Sequence, residues 1–159
     1  MRAHDHPNLV KLIEVHETEG SVYIIMEYIQ SKTLRSVIRK PDFRNSELQT
    51  IQIINSILHG IAYLHAHGVM HRDLKPDNIL IGKALKVKII DFGLVCKLGM
   101  TDCVYERCGT PGYIAPEVFR YDKKSSSTIY NDKVDVFSAG SILFQMYQNR
   151  LFLLFLSSA

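Results

Sequence analysis

The sequence has no apolar run near the ~20 residues needed to cross a bilayer. Its tail run, Leu151 to Leu156, has six residues, and Gln148, Asn149 and Arg150 block its extension backwards. Met1 to Pro7 lacks the apolar core of a signal peptide, so secretion is not expected. Cysteine is scarce. Cys96, Cys103 and Cys108 are odd in number and contain no Cys-x-x-Cys pair, which suits reduced thiols in a cytoplasmic or nuclear setting and offers no finger-like zinc spacing. Charge is scarce too: a formal +3, with dispersed lysines and arginines, gives no reason to expect a nucleic-acid partner. There is no internal repeat, and the one low-complexity tract is Ser125-Ser126-Ser127.

What is present is the composition of a soluble globular chain, 47% hydrophobic and 22% charged. Val10 to Val15 and Ser21 to Ile29 are rich in β-branched and aromatic residues around the polar turn Glu17 to Gly20, which predicts an antiparallel hairpin. Ser46, with Gln49 three residues on, forms a capping-box pattern and starts a helix. Ile51, Ile54, Leu58, Ile61 and His65 then recur at helical spacing up to Gly68, and that stripe is expected to be core. Ile79-Leu80-Ile81 and Val87 to Ile90 flank Gly82-Lys83 as a second hairpin. Tyr121 to Thr128 reads as a loop. Asp132 to Tyr147 reads as a buried helix with Val136, Ala139, Leu143 and Met146 on its inner face.

Three segments carry chemistry. His71-Arg72-Asp73-Leu74-Lys75-Pro76-Asp77-Asn78 supplies a proton acceptor, an ammonium group and a metal-binding amide; Asp91-Phe92-Gly93 supplies a metal-binding carboxylate; and Gly109-Thr110-Pro111-Gly112-Tyr113-Ile114-Ala115-Pro116-Glu117 follows. Alone, Asp-x-x-x-x-Asn or Asp-Phe-Gly is ordinary turn chemistry. Together, in this order and spacing, they resemble a eukaryotic serine/threonine protein kinase catalytic domain, and the pattern Cys108 to Tyr113 leans toward the calcium/calmodulin-dependent-kinase-like branch.

That resemblance implies an α+β, protein-kinase-like fold: partial small-lobe strands followed by a mainly helical large lobe, incomplete. It implies ATP and Mg2+ as cofactors and a protein serine or threonine as acceptor. Asp73 would accept the acceptor's proton, Lys75 would steady the transferred phosphate, Thr110 would bond near both, and Asn78 and Asp91 would hold the metal. These oxygens suit magnesium, which takes few protein ligands. Met26 would be the gatekeeper, the backbone of Glu27, Tyr28 and Ile29 would face adenine, and Leu80 completes the cofactor-binding set. Gly112 to Ala115 would shape the pocket for the residue after the acceptor. Asp135 resembles the buried aspartate that holds the catalytic-loop backbone, although the family more often has Trp where Phe137 stands. Arg72 would pair with a phosphate on the activation loop; Glu106 stands where many relatives carry the phosphorylated threonine, and Thr101 and Tyr105 are candidate phosphorylation sites. His65, His67 and His71 invite a zinc reading, but the resemblance gives His71 a structural role in the core, so no zinc site is expected.

The resemblance covers residues 6–147. We expect a partial kinase domain over 1–147, with 1–29 as small-lobe and hinge remnant and 30–147 as part of the large lobe, and a divergent apolar tail over 148–159. A complete kinase domain needs about 250 residues. No Gly-x-Gly-x-x-Gly occurs in the sequence, and the strand lysine and helix glutamate of the family are not found, so weak or absent nucleotide binding is expected for these 159 residues. Beyond Met146 the arginine that pairs with Glu117 in relatives is also not found. Two functions follow: ATP-dependent phosphorylation of protein serine or threonine, inherited by family, or a non-catalytic remnant acting as a protein-interaction module. A protein substrate and no membrane span are expected, in the cytoplasm or nucleus.

Overall fold

The computed structural model describes residues 5–40, 47–99, 108–120 and 130–148. Ser46, Thr101, Tyr105, Glu106, the serine tract and the apolar tail lie outside these. The fold is α+β, opening on strands and closing on helices, with four short strands between α2 and α3 among the described residues.

β1 (Leu12–Thr18) and β2 (Ser21–Met26) form the first antiparallel hairpin, in register from Leu12↔Met26 to Thr18↔Ser21, with an irregularity between Leu12 and Glu14. The hairpin differs from the sequence reading at both margins. Glu17 and Thr18 belong to the strand, so only Glu19 and Gly20 turn. Val10 is not in it: its N–H donates to Ile89 O at 2.9 Å, and Leu9 bridges Ile89 in parallel. The segment before the hairpin is therefore stitched to the centre of the molecule.

That centre is a three-stranded antiparallel sheet, in the order β3 (Ser31–Thr33), β5 (Ile79–Gly82), β6 (Val87–Ile89). Ile79 and Ile81 alternate with Leu80 along β5, putting the two isoleucines into the core and Leu80 on the other face. A second small ladder pairs β4 (Val69–Met70) with β7 (Cys96–Lys97). The helices are α1 (Leu34–Ile38), α2 (Glu47–Ala66), α3 (Pro116–Phe119) and α4 (Lys133–Gln148). α1 starts on Thr33, whose hydroxyl accepts from Ser36 N. α2 stops where Gly68 adopts φ +70°, and its N–H donates back to His65 O.

Both long helices exist as the sequence predicts, and each buries part of the predicted stripe, Ile54 and Ile61 in α2 and Ala139 and Met146 in α4, while the rest of the inward face is set elsewhere. In α2 the buried residues are Ile53, Ile54, Ile57, Ile61 and Leu64, whereas Ile51 and Leu58 are 42% and 38% exposed. Isoleucine and leucine crowd both faces, so periodicity cannot choose between them. Gly60 does: a Cβ there would lie 2.7 Å from Ile89 Cδ1 and 3.3 Å from Leu9 Cδ2. The helix thus approaches β6 most closely along its glycine side. In α4, Val136 is exposed, and Ser138, Ala139, Ile142 and Met146 face inward. The buried carboxylate of Asp135 sets that phase. Among the described residues no helix is long and apolar enough to cross a membrane.

Candidate active site

Residues 71–75 have no regular structure, so their placement must come from hydrogen bonds. Asp135, at the start of α4 and fully buried, provides them. Its Oδ2 accepts from His71 N and its Oδ1 from Arg72 N, each at 2.8 Å. His65 Nε2, from the last turn of α2, also donates to Oδ2 at 2.8 Å. One side chain therefore ties α2, α4 and the loop together. This support lets Arg72 stand at φ +67°, a region that side-chain-bearing residues seldom occupy. Arg72 Nε donates to Leu94 O at 2.6 Å and Nη1 to the Tyr130 hydroxyl at 3.0 Å. Burial pushes the Tyr130 hydroxyl up to about 12, so it stays a neutral phenol.

His71 is fully buried. Its Nε2 lies 3.2 Å from Ile90 O and its Nδ1 3.3 Å from Asp73 N, so Nε2 carries the hydrogen and Nδ1 accepts. Burial lowers its pKa, outweighing the pull of Asp135 and the Ile90 carbonyl, in keeping with that neutral tautomer. The ring packs on Phe92 with centroids 5.3 Å apart.

From this base Asp73 enters a closed ring of polar atoms. Thr110 Oγ1 donates to Asp73 Oδ1 at 2.7 Å, Lys75 Nζ donates to Asp73 Oδ2 at 2.7 Å, and Lys75 Nζ also donates to Thr110 Oγ1 at 2.8 Å. Asn78 Nδ2 closes the other side, donating to Asp73 O at 3.0 Å and to Oδ2 at 3.2 Å. Pro76 opens the 3-10 turn Pro76–Asn78, and Lys75 before it is extended, as a residue preceding proline prefers. Thr110 reaches the ring because Gly109 has φ +109° and lies against the loop: a Cβ there would stand 2.9 Å from Arg72 O. A carboxylate that accepts from a hydroxyl on one oxygen and an ammonium group on the other can orient an alcohol beside a cation.

Asn78 and Asp91 come from separate segments joined by the bond from Ile90 N to Asn78 O, 2.9 Å. Both donors of the Asn78 amide are turned toward Asp73, which leaves its carbonyl oxygen as the outward acceptor. Asp91 is exposed, at φ +64°, and its Oδ1 accepts from Gly93 N at 3.3 Å. Two hard oxygens on segments joined by a backbone bond, one anionic, fit a magnesium ion.

The segment Met26 to Ile29 lies apart from this ring. Met26 is 45% and Tyr28 90% exposed. The Glu27 N–H donates to Lys11 O, and its carboxylate accepts from Lys11 N and from the buried Lys88 ammonium group. Burial would raise the Glu27 pKa, but the Lys88 and Lys11 bonds prevail and hold it low. Leu80 faces away from the core, as noted. Sequence reasoning missed the role of Lys88, the contact of His65 with Asp135, and the pairing of Arg35 with Asp77, whose carboxylate oxygens lie 2.6 and 2.7 Å from Arg35 Nε. These pairings span 42 to 70 residues, and no local signal announces them.

A protein kinase domain model matches residues 1–155. The chain belongs to the protein kinase family. It is 33% identical over 141 residues to the phosphorylase b kinase gamma catalytic chain, liver/testis isoform, of Mus musculus, covering 89% of this chain and 34% of that one. With sperm motility kinase 3A of Mus musculus the identity is 40% over 148 residues, covering 92% and 28%. Among solved structures, the yeast RNA Pol II CTD kinase CTDK-1 complex superposes with a TM-score of 0.78 at 30% identity, covering 94% of this chain and 48% of that one. The chain thus spans about a third of the length of these curated relatives.

Proposed function

We propose that these residues form the acceptor and metal side of an ATP-dependent protein serine/threonine kinase site. The observation that carries this reading is the ring of Asp73, Lys75 and Thr110, because it shows an aspartate oxygen accepting from an aliphatic hydroxyl at 2.7 Å beside a lysine ammonium group. An acceptor serine or threonine presents the same group. Asp73 takes the proton of that hydroxyl as its oxygen bonds to the γ-phosphorus, while the bond from phosphorus to the bridging oxygen breaks and ADP leaves with the electron pair. Lys75 balances the charge on the transferred group. Asn78 and Asp91 would hold Mg2+, which when bound neutralises charge on the phosphate oxygens. Met26, Glu27, Tyr28, Ile29 and Leu80 are the nucleotide side. A polypeptide of these 159 residues has no Gly-x-Gly-x-x-Gly, and its Mg-ATP affinity is accordingly weak. The setting is cytoplasmic or nuclear and the partner a protein substrate.

The test is transfer from labelled ATP with magnesium to a serine peptide, at millimolar nucleotide and high protein concentration. Asp73→Asn lowers it by about a hundredfold or more; equal turnover in the variant excludes Asp73 as the proton acceptor. Calorimetric Mg-ATP binding in the low micromolar range would contradict the weak-affinity reading. One observation favours a second reading, a non-catalytic protein-interaction module: every residue of β2 is exposed, including Val22, Tyr23 and Ile24. In that case capture of a protein partner survives Asp73→Asn unchanged.

A further inference from the structure

α1 packs against the 3-10 turn Pro76–Asn78, and Arg35 is its contact with the site. The guanidinium bonds both oxygens of Asp77, four residues after Asp73, and also reaches the Tyr113 hydroxyl, three residues after Thr110. Tyr113 is held in turn by Gln145 of α4. Arg35 therefore bridges the catalytic loop and the segment carrying Thr110. Arg35 and Asp77 form an ion pair, with Nε 2.6 Å from Oδ1. Both members still reach solvent, with side chains 28% and 41% exposed.

Two consequences for an incoming peptide follow. Asp77 is the other carboxylate of the catalytic loop, and it is already paired with Arg35, whose Nε lies 2.6 and 2.7 Å from its two oxygens, so a lysine or arginine of the peptide meets a carboxylate that is already neutralised. The segment that carries Arg35 is cationic: Lys32, Arg39 and Lys40 are all exposed, and Arg39 lies one helical turn from Arg35. Among the described residues 31–40 there is no acid to offset them.

We propose that Arg35 is the specificity-determining residue of the acceptor side, and that by occupying Asp77 it selects peptides carrying glutamate or aspartate near the acceptor serine or threonine. This rests on the kinase reading for its biological meaning, but peptide affinity tests it without turnover. Fluorescence anisotropy of the full chain compares two labelled serine peptides, one with three glutamates before the serine and one with three arginines. The acidic peptide binds about tenfold more tightly. Arg35→Gln brings the ratio close to one, because it removes a cation and exposes Asp77. Asp77→Asn moves the ratio the opposite way, since it leaves Arg35 unopposed; a mere loss of fold would weaken both peptides alike. Lys133→Gln, at the exposed start of α4, makes the same change in net charge as Arg35→Gln and leaves the ratio nearly unchanged. The proposal is overturned if the arginine peptide binds as well as the glutamate peptide, if Lys133→Gln and Arg35→Gln shift the ratio equally, or if neither peptide binds. A charge preference without any phosphoryl transfer would leave Arg35 as a selector and count against catalysis alone.

Discussion

Asp135→Asn tests whether the catalytic loop is held by one buried carboxylate. In the native fold the two oxygens accept from His71 N, Arg72 N and His65 Nε2, all at 2.8 Å. An asparagine is almost the same size, so packing barely changes. Its one oxygen can still serve Arg72 N, but its NH2 then faces two donors. A hydrogen bond to a charged group contributes about 1.5–3 kcal/mol, and a buried N–H left without a partner costs about 1–3 kcal/mol. Against this stands the desolvation cost of the carboxylate, which asparagine avoids. The balance is a loss of about 3 kcal/mol, which for a chain of this size is a fall in Tm of about 6–12 °C. Differential scanning calorimetry with a urea titration measures it. A His65→Ala cycle adds a second arm: because His65 and His71 N share Oδ2, removing His65 after Asp135→Asn should cost less than removing it from the native protein. A loss below about 1 kcal/mol, or strict additivity with His65→Ala, would refute the idea that Asp135 is the anchor.

Gly109→Ala places a Cβ against the Arg72 carbonyl at φ +109°. It should cost about 1–3 kcal/mol and detach Thr110 from Asp73, seen as faster hydrogen exchange over 108–113 with little change in α2. A pH series tests the buried histidine. The folded pKa of His71 lies below its ordinary 6.5, so as pH falls through that value the unfolded chain takes up a proton that the fold does not. Stability is therefore full above pH 6.5 and declines below it, with a slope of up to about 1.4 kcal/mol per pH unit for one histidine. His6, also lowered by burial, adds to the slope with the same sign. His71→Gln should flatten most of it in urea titrations between pH 5 and 7; an unchanged slope would mean that His71 takes up its proton as readily in the fold as in the unfolded chain.

Asp73, Lys75, Asn78 and Thr110 meet because they sit in short, motif-bearing turns whose local geometry is coded in place: Pro76 after an extended Lys75, and Gly109 with its positive φ. The existence of α2 and α4 was legible for a similar reason, since apolar residues recur at helical spacing. Their inward faces were legible only in part. Ile51 and Leu58 are as apolar as Ile53 and Ile57, and the choice falls to Gly60, which admits Ile89, a contact between residues 29 positions apart that periodicity cannot see. β3, β4 and β7 escaped because Ser31 to Thr33, Val69-Met70 and Cys96-Lys97 lack the run of β-branched residues that marks β6, and they exist only through pairing with distant segments. Lys88 is the sharpest case. Read locally it is a surface lysine in a strand, yet it is buried at 5% exposure because Glu27 and the Leu9 carbonyl receive its ammonium group.

The long-range polar contacts share a direction that bears on how the site is held. Asp135 reaches back from α4 to the loop, His65 reaches from α2 to Asp135, Lys88 reaches from β6 to Glu27, and Arg35 reaches from α1 to Asp77 and Tyr113. Each starts on a regular element and ends on an irregular one, or on the carboxylate that fixes it. Loops have few backbone partners of their own, so rigid helices and strands must supply the donors and acceptors that fix them. The ring around Asp73 can then be short and closed without help from a ligand, since the helices behind it have already set the backbone from which Asp73, Lys75 and Thr110 project.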